Sequence, residues 1–236
     1  MLLYIIRHGD PHYPTDSLTP RGVLQAEAVG KRLAAAGIDQ VFSSPMGRAK
    51  QTAEPTCRLL GLDCAIEPWA YELPREEMYM DFPDGQKNAL GELQNTYLLE
   101  NGGYDYSFSQ ACEHPVLKEY THMDVAVARV REGSRDFLER LGYREENGIY
   151  RILQPSEKKV ALFCHAALAR TLLSELLHVP LQVMFASFWY NHTGVTVLRF
   201  ENYENGITAP RCLCLSDVSH LYAHGPDMSY IGRVDI

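Results

Sequence analysis

Two arginines and two histidines in this sequence stand just beyond short segments that read as strands. Arg7 and His8 follow the run Leu2–Ile6, Arg48 ends the segment SSPMGR, and His165 follows KKVALFC. An arginine offers a planar fork of donors that matches phosphate oxygens, and a neutral imidazole nitrogen can attack phosphorus. These residue types together favour phosphoryl transfer.

Such chemistry also needs a carboxylic acid, because the departing alkoxide must be protonated. Glu72, in the stretch WAYEL, is the candidate for this group. Glu76 and Glu77 lie about one helical turn further along the chain and are the alternatives. Nothing in this set of side chains requires a metal.

The elements that must position these residues alternate between strand and helix. Thr19-Pro20 and Ser44-Pro45 each predict a helix start, with the hydroxyl residue as N-cap and proline at the first helical position. We expect strands at 2–6, 40–43, 64–67 and 159–163. We expect helices from Pro20 to Gly37, from Pro45 to about Leu60, and from Ala166 to about Leu177. The buried face of the first helix should consist of Val23, Ala26, Gly30 and Leu33. Strands alternating with helices predict an α/β three-layer sandwich, α/β/α, with a mostly parallel sheet. The carboxyl ends of such strands, where ligands bind, carry the residues named above.

Three other segments complete the prediction. Residues 194–200 and 207–215 predict a strand pair, and hence an antiparallel edge on the sheet, while residues 143–153 predict a hairpin that turns at Asn147-Gly148. Residues 73–124 show no clear strand and carry several prolines and glycines, so we expect an inserted helical cap there, followed by a helix over 123–141. We expect a single domain over residues 1–236, with the cap as a subregion of it.

The composition of the chain narrows the function classes. The sequence has 236 residues, 22% of them charged, and a formal net charge of −8, which argues against nucleic acid or an anionic membrane surface as partner. Its six cysteines have neither paired CxxC spacing nor the density of a disulfide scaffold, and we expect Cys212 and Cys214 to be a core pair. No apolar run approaches the roughly 20 residues of a spanning helix, and we expect a cytoplasmic protein.

Four segments, LYIIRHGD, SLTPRGVLQAEAVGKRL, VFSSPMGRAKQTAE and LFCHAALARTLL, occur in this order and resemble the histidine phosphatase superfamily, also called the phosphoglycerate mutase-like family. The resemblance covers residues 1–72 and 158–200. It implies a phosphoglycerate mutase-like fold and an enzyme that hydrolyses a small phosphate monoester without a metal or organic cofactor. In such an enzyme His8 would be the nucleophile that becomes phosphorylated.

The resemblance also implies roles for the other site residues. Arg7 and Arg48 would bind the phosphoryl oxygens, His165 would donate to them and stabilise the transition state, and Glu72 would act as general acid and then activate water. Gly9 and Ala166 complete the expected substrate-binding set. The remaining histidines, His192 among them, are assigned to structure or surface. Asn191–Thr193 is assigned to a turn that enters a strand, with a backbone or hydroxyl donor near the phosphate as the alternative.

Two departures from the family pattern count against phosphoglycerate mutase itself. Many members have Glu or Gln at the position of Asp10, Ser or Thr at that of Pro11, and Asn at that of Pro14. Gly-Gly is frequent at the position of Ala166-Ala167. We therefore expect a phosphatase, with a phosphomutase as one alternative and a non-catalytic phosphate-binding regulatory module as another. The carboxylic acid favours catalysis, since a binding module needs only the arginines. The oligomeric state is left open, with a homodimer as one alternative.

The predicted cap is strongly acidic. Residues 73–124 contain ten acidic residues and three basic ones. A lid over a polyanion should be basic, because like charge near the entrance repels the substrate. We therefore expect a monophosphate whose remainder is neutral or cationic. The alternative is that these acids face solvent on the outer side of the cap.

Overall fold

The computed structural model of the chain describes residues 1–74, 79–81, 87–89, 106 and 108–224. At its centre lies a sheet of six strands, whose spatial order is β6-β5-β1-β4-β2-β3. In chain order these strands are β1 (Leu2–Arg7), β2 (Gln40–Ser43), β3 (Cys64–Ile66), β4 (Lys159–Cys164), β5 (Val195–Arg199) and β6 (Arg211–Asp217). β1, β4, β2 and β3 are parallel, whereas β5 is antiparallel to both of its neighbours. The predicted mostly parallel sheet with an antiparallel edge is confirmed.

Helices and shorter elements surround this sheet. In the described ranges the helices are α1 (Pro20–Ala36), α2 (Gly47–Leu60), α3 (Pro115–Tyr120), α4 (Met123–Arg140), α5 (Ala166–Leu177) and α6 (Leu181–Ser187). Short 3-10 helices occupy Tyr13–Thr15, Pro68–Ala70, Phe108–Glu113 and Ser219–His224. Pro11–His12 pairs with Ser17–Leu18, and Tyr143–Glu146, Ile149–Ile152 and Ile207–Thr208 form a separate three-stranded sheet. Within the described part of the chain, no helix has the length and hydropathy needed to cross a membrane.

Two apolar cores lie on opposite faces of the central sheet, as the alternation of side chains along a strand requires. Leu162 of β4 belongs to the core built with α4, α5 and α6. Its neighbour Phe163 belongs to the core built with α1 and α2. Helices therefore cover both faces, and the three-layer α/β/α sandwich is confirmed.

The first helix begins and ends where the sequence predicts. The Thr19 hydroxyl accepts the backbone N–H of Gly22 at 3.1 Å, and Gly37 ends the helix in the left-handed conformation at φ 71°. The predicted buried face is correct for Ala26, Gly30 and Leu33. It is wrong for Val23, which is 50% exposed because it follows the capping turn and lies beside the sheet-facing stripe.

The predicted start of α2 is wrong. The helix begins at Gly47 with Met46 in the N-cap position, and no side chain caps it. The hydroxyl of Ser44, the predicted cap, is instead bonded to Nε2 of His165 at 2.7 Å. The Ser44 hydroxyl, which the local pattern assigned to the helix cap, therefore makes a tertiary contact instead.

The later segments follow the prediction with two corrections. The hairpin turns at Asn147 and Gly148, whose φ angles of 55° and 86° are those of a two-residue turn that matches strand twist. The predicted strand 207–215 is wrong as a single element, because Ile207–Thr208 pairs with Ile149–Ile152 while β6 begins at Arg211.

The predicted cap, residues 73–124, is described only in part. The expectation of no strand there is wrong, since Tyr79–Asp81 pairs with Lys87–Ala89. Its helical content is seen in the turn Phe108–Glu113 and in α3, and α4 follows at Met123. The rest of the cap lies outside the described residues, and the division into one domain with a cap stays a prediction.

Candidate active site

The candidate site lies at the carboxyl ends of three neighbouring strands, β1, β4 and β2. The backbone N–H of His8 donates to the carbonyl of Cys164 at 2.9 Å, and that of Ser44 donates to Phe163 at 2.9 Å. These bonds extend the strand pairing just beyond the sheet. They bring the ring centroids of His8 and His165 to 5.2 Å from each other.

His8 is held as a neutral imidazole with one free nitrogen. Its Nδ1 lies 2.7 Å from the carbonyl oxygen of Gly9, and because a carbonyl only accepts, Nδ1 carries the hydrogen. Burial, Arg7 and His165 hold the pKa of His8 well below its ordinary value. Nε2 therefore keeps its lone pair, which is the condition for nucleophilic attack.

His165 is also buried and neutral. Burial, followed by Arg48 and Arg7, holds its pKa well below the ordinary value. Ser44 Oγ accepts the Met46 N–H at 3.2 Å and can donate its own hydrogen to His165 Nε2, which leaves the hydrogen of the imidazole on Nδ1. Among the described residues that Nδ1 has no partner, although it is buried. A buried N–H without a partner is available to donate a hydrogen bond to a bound ligand.

Arg48 is fixed at the start of α2 and is 5% exposed. Its Nη1 donates to Oδ1 of Asp16 at 2.6 Å, and the other oxygen of that carboxylate accepts the Gly47 N–H at 2.5 Å. Asp16 therefore ties the guanidinium to the N-terminus of the helix. The Nε of Arg48 is buried and has no partner among the described residues.

Arg7 ends β1 and is oriented by a backbone carbonyl, because its Nη1 donates to Tyr190 O. Burial lowers the pKa of Arg7, and Tyr13 and Glu72 oppose that shift. Its Nε, like that of Arg48, is buried without a partner among the described residues. Buried donors are normally bonded, so two arginine N–H groups left over at one edge indicate an anion site.

Glu72 is held at the N-terminus of α5. Its Oε1 accepts the N–H of Leu168 at 3.0 Å and of Leu73 at 3.1 Å, and Oε2 accepts that of Ala167 at 3.4 Å. These three backbone N–H groups, two of them in the first turn of α5, fix the position of both carboxyl oxygens. The side chain thus lies beside His165 and Ala166. Glu76 and Glu77, the alternatives to it, lie outside the described residues.

Gly9 allows the loop after β1 to touch α1. A Cβ at Gly9 would lie 2.7 Å from the carbonyl oxygen of Gly22, and a Cβ at Gly22 would lie 2.2 Å from that of Asp10. The N–H of Gly9 donates to Thr52 Oγ1 at 3.0 Å, which links the loop to α2 as well. The loop that carries His8 is therefore packed backbone against backbone.

One residue that sequence reasoning assigned to structure or surface lies at the site. The ring of His192 is 5.8 Å from that of His8, and its Nδ1 is 3.6 Å from Oδ1 of Asp10. The only signal in the sequence was its place just before a strand expected at the antiparallel edge. That the strand pairs with β1 is visible only in the fold.

The structure brings all the predicted site residues to one edge of the sheet: Arg7, His8, Gly9, Arg48, Glu72, His165 and Ala166. Within the described ranges, no group of three or more His, Cys, Asp or Glu side chains is placed to hold a metal ion. The expectation that no metal or cofactor is needed stays a prediction. Two guanidinium groups, two neutral imidazoles and a carboxyl group can together bind a phosphoryl group and transfer it.

Comparison with known proteins shows the family and the fold of the chain. A family model described as the histidine phosphatase superfamily (branch 1) matches residues 3–83. The sequence is 35% identical over 148 residues to a protein of Salmonella arizonae named "Probable phosphoglycerate mutase GpmB", a match that covers 58% of this chain and 67% of the relative.

Solved structures show the same fold. A phosphoserine phosphatase mutant from Entamoeba histolytica, in complex with phosphoserine, matches with a TM-score of 0.62 and 20% identity over 93% of this chain and 98% of that one. The alpha-ribazole phosphatase from Shigella flexneri matches with a TM-score of 0.56 and 20% identity over 92% and 96% of the two chains. At this identity the likeness concerns the fold alone. The sequence relative and the family model show that this chain belongs to the histidine phosphatase superfamily.

Proposed function

We propose that the chain is a metal-independent phosphatase that hydrolyses a small phosphate monoester through a phosphohistidine at His8. The observation that carries the proposal is the state of this imidazole: Nδ1–H is bonded to Gly9 O, so Nε2 keeps its lone pair. Beside it are the Nε groups of Arg7 and Arg48, which have no hydrogen-bond partner among the described residues. A nucleophile next to donors for three phosphoryl oxygens is the arrangement that phosphoryl transfer needs.

The first step transfers the phosphoryl group to the protein. Arg7, Arg48 and Nδ1–H of His165 bind its oxygens, and Nε2 of His8 forms a bond to phosphorus. The bond from phosphorus to the ester oxygen breaks, and the leaving oxygen takes a proton from Glu72 in its acid form. The alcohol departs and phosphohistidine remains.

The second step returns the histidine to its starting state. Glu72, now a carboxylate, takes a proton from a water molecule while the water oxygen bonds to phosphorus. The bond from phosphorus to Nε2 of His8 breaks, and inorganic phosphate leaves. In a phosphomutase another hydroxyl would take the place of water, and the name of the Salmonella relative keeps that alternative open.

The direct test looks for the covalent intermediate. We expect p-nitrophenyl phosphate to be hydrolysed without added metal, and rapid quenching followed by mass spectrometry in alkali to find phosphate on His8. A His8→Ala variant should lose both the intermediate and at least 99% of the turnover, since no other group replaces the nucleophile.

His178→Asn is the matched control. This exposed histidine lies at the far end of α5 in the left-handed conformation, which asparagine tolerates, and the variant should keep full activity. Turnover that survives in His8→Ala would contradict the mechanism. Transfer of phosphate to an added alcohol in preference to water would indicate the mutase.

For the substrate, we propose a monoester whose remainder is not an anion. The support is the acidic composition of residues 73–124, with ten acidic and three basic residues. Outside its phosphate group, phosphoserine, which the Entamoeba structure contains, carries one ammonium and one carboxylate and is neutral overall, so it is a suitable first substrate. At low salt we expect simple monoesters to be hydrolysed at least tenfold faster than fructose bisphosphate or phytate. The reverse order would show that the acidic residues do not face the substrate.

A further inference from the structure

A third imidazole stands next to the two that the proposed mechanism uses. The ring of His192 lies 5.8 Å from that of His8, at an interplanar angle of 35°, whereas His165 lies 5.2 Å from His8. The His192 side chain is 22% exposed, so it is neither sealed in the core nor on the open surface. Its position gives it access to the same space as the nucleophile.

The backbone around His192 is held firmly against the end of β1. The N–H of Thr193 donates to the carbonyl of His8 at 3.3 Å, and the N–H of Arg7 donates to Gly194 at 3.3 Å. Thr193 has φ 53°, an unfavourable value for a β-branched residue, and such values persist where the surroundings fix the backbone. Its hydroxyl is also bonded to His220 Nε2 at 3.0 Å. The ring of His192 is thus positioned by the same strand that positions His8.

The two nitrogens of His192 have different surroundings. Nδ1 faces Oδ1 of Asp10 at 3.6 Å, and Oδ2 of that carboxylate accepts the Thr19 hydroxyl at 2.7 Å. A carboxylate favours a hydrogen on the nitrogen that faces it. Nε2 has no hydrogen-bond partner among the described residues. It is therefore the nitrogen available to a ligand.

We propose that His192 is a phosphoryl-binding residue, which meets the bound group through Nε2 while Asp10 orients its Nδ1–H. This inference rests on the proposed function of the same site. Because Nδ1 carries the hydrogen of the neutral ring, Nε2 can bond to a phosphoryl oxygen only through an added proton. Binding of a dianion should therefore take up one proton from solution, which the pair Nε2 and phosphoryl oxygen then share.

The charges around His192 agree with this order of events. Burial and Arg7 lower its pKa to about 3, Arg21 acts in the same direction, and Asp10 opposes them. The neighbouring ring of His8 is itself neutral. In the empty site His192 is thus neutral at pH 7. A phosphoryl dianion brings the opposite charge, which favours the protonated ring.

The test measures binding of inorganic phosphate by calorimetry, which needs no turnover. We expect His192→Ala to weaken phosphate binding about tenfold at pH 7, the effect of losing one charge-assisted hydrogen bond. His192→Gln, which can donate without an added proton, should weaken it only about threefold. Asp10→Asn should fall between wild type and His192→Ala, and the control His178→Asn should bind as wild type does.

The pH dependence of phosphate binding shows whether His192 contacts the ligand or only packs beside the site. Between pH 7 and 8.5, phosphate affinity should fall more steeply for wild type than for His192→Gln, whose amide takes up no proton. Equal slopes in the two proteins, or phosphate binding within twofold of wild type for His192→Ala, would overturn the inference. If His192→Ala does not fold, as judged by circular dichroism, the slope of His192→Gln decides alone.

Failure of this inference can be distinguished from failure of the proposed function. A protein that binds phosphate in a manner dependent on His192, yet never forms phosphohistidine, would contradict the function and support the inference. A protein that forms phosphohistidine on His8, yet binds phosphate equally well without His192, would contradict the inference alone.

Discussion

At the scale of single residues, reactivity depends on where each imidazole carries its hydrogen. The carbonyl of Gly9 fixes the hydrogen of His8 on Nδ1, and the hydroxyl of Ser44, by donating to Nε2 of His165, can fix the hydrogen of that ring on Nδ1 as well. In His8 this frees Nε2 to attack, while in His165 it turns Nδ1–H into a donor. The groups around the two histidines therefore give these identical side chains different chemical properties.

Glu72 offers the sharpest test at this scale, because the need for an acid depends on the leaving group. In Glu72→Gln we expect hydrolysis of alkyl phosphates to fall by about 10²- to 10⁴-fold, since an alkoxide leaves poorly without a proton. Hydrolysis of p-nitrophenyl phosphate should fall much less in its phosphorylation step, because p-nitrophenolate is a stable anion. Single-turnover kinetics with both substrates would measure the difference.

Glu76→Gln is the matched control for that prediction, as it removes one carboxylate nearby in the chain. It should hydrolyse alkyl phosphates at the wild-type rate. An unchanged rate in Glu72→Gln, together with a loss in Glu76→Gln, would transfer the role of acid to the other residue.

At the scale of elements, α1 packs directly against the loop that carries His8. We expect Gly22→Ala to reduce the free energy of unfolding by about 1–3 kcal/mol, because its Cβ would lie 2.2 Å from the carbonyl oxygen of Asp10. Activity should fall as well, since relief of that contact moves the backbone next to Gly9. Urea unfolding and turnover, measured on the same preparation, would test both effects.

Leu24→Ala is the control for this change, because Leu24 lies on the same helix and is 59% exposed. It should alter the free energy of unfolding by no more than about 0.5 kcal/mol. If Gly22→Ala is as stable and as active as Leu24→Ala, the contact between helix and loop is not rigid.

The elements also show which features a sequence can reveal. Apolar runs and capping patterns predicted the strands of the parallel sheet and the bounds of α1 and α5, since these depend on neighbouring residues. The predicted start of α2 was wrong because a tertiary contact uses the Ser44 hydroxyl, and the predicted burial of Val23 was wrong because this residue lies beside the stripe that faces the sheet. His192 was missed for the same reason, as only the pairing of β5 with β1 brings it to the site. The motif RHG singled out His8 but not the groups that set the position of its hydrogen.

At the scale of the whole molecule, the site makes stability depend on pH. Burial keeps the folded-state pKa values of His8, His165 and His192 below the ordinary 6.5. Stability from these groups is therefore complete above pH 6.5 and is lost as pH falls below it, where the unfolded chain binds protons that the folded chain does not. Each histidine contributes a slope of up to about 1.4 kcal/mol per pH unit.

Urea unfolding between pH 7.5 and 5 would measure this loss of stability. We expect the free energy of unfolding to decrease steadily below pH 6.5, and the slope to be smaller in His165→Gln, which removes one of the three groups. A flat profile across this range, or an equal slope in the variant, would show that the buried imidazoles do not control acid stability.

The place of β1 within the sheet has a consequence for the life of the protein during synthesis. β1 is made before the other strands of the central sheet, yet its two neighbours are β4 and β5, which end at Cys164 and Arg199. While the ribosome makes the intervening residues, this apolar strand has both edges unpaired and is exposed to association with other chains. Activity should therefore emerge late in translation, and shielding of the nascent β1 strand by a chaperone should increase the yield of active protein.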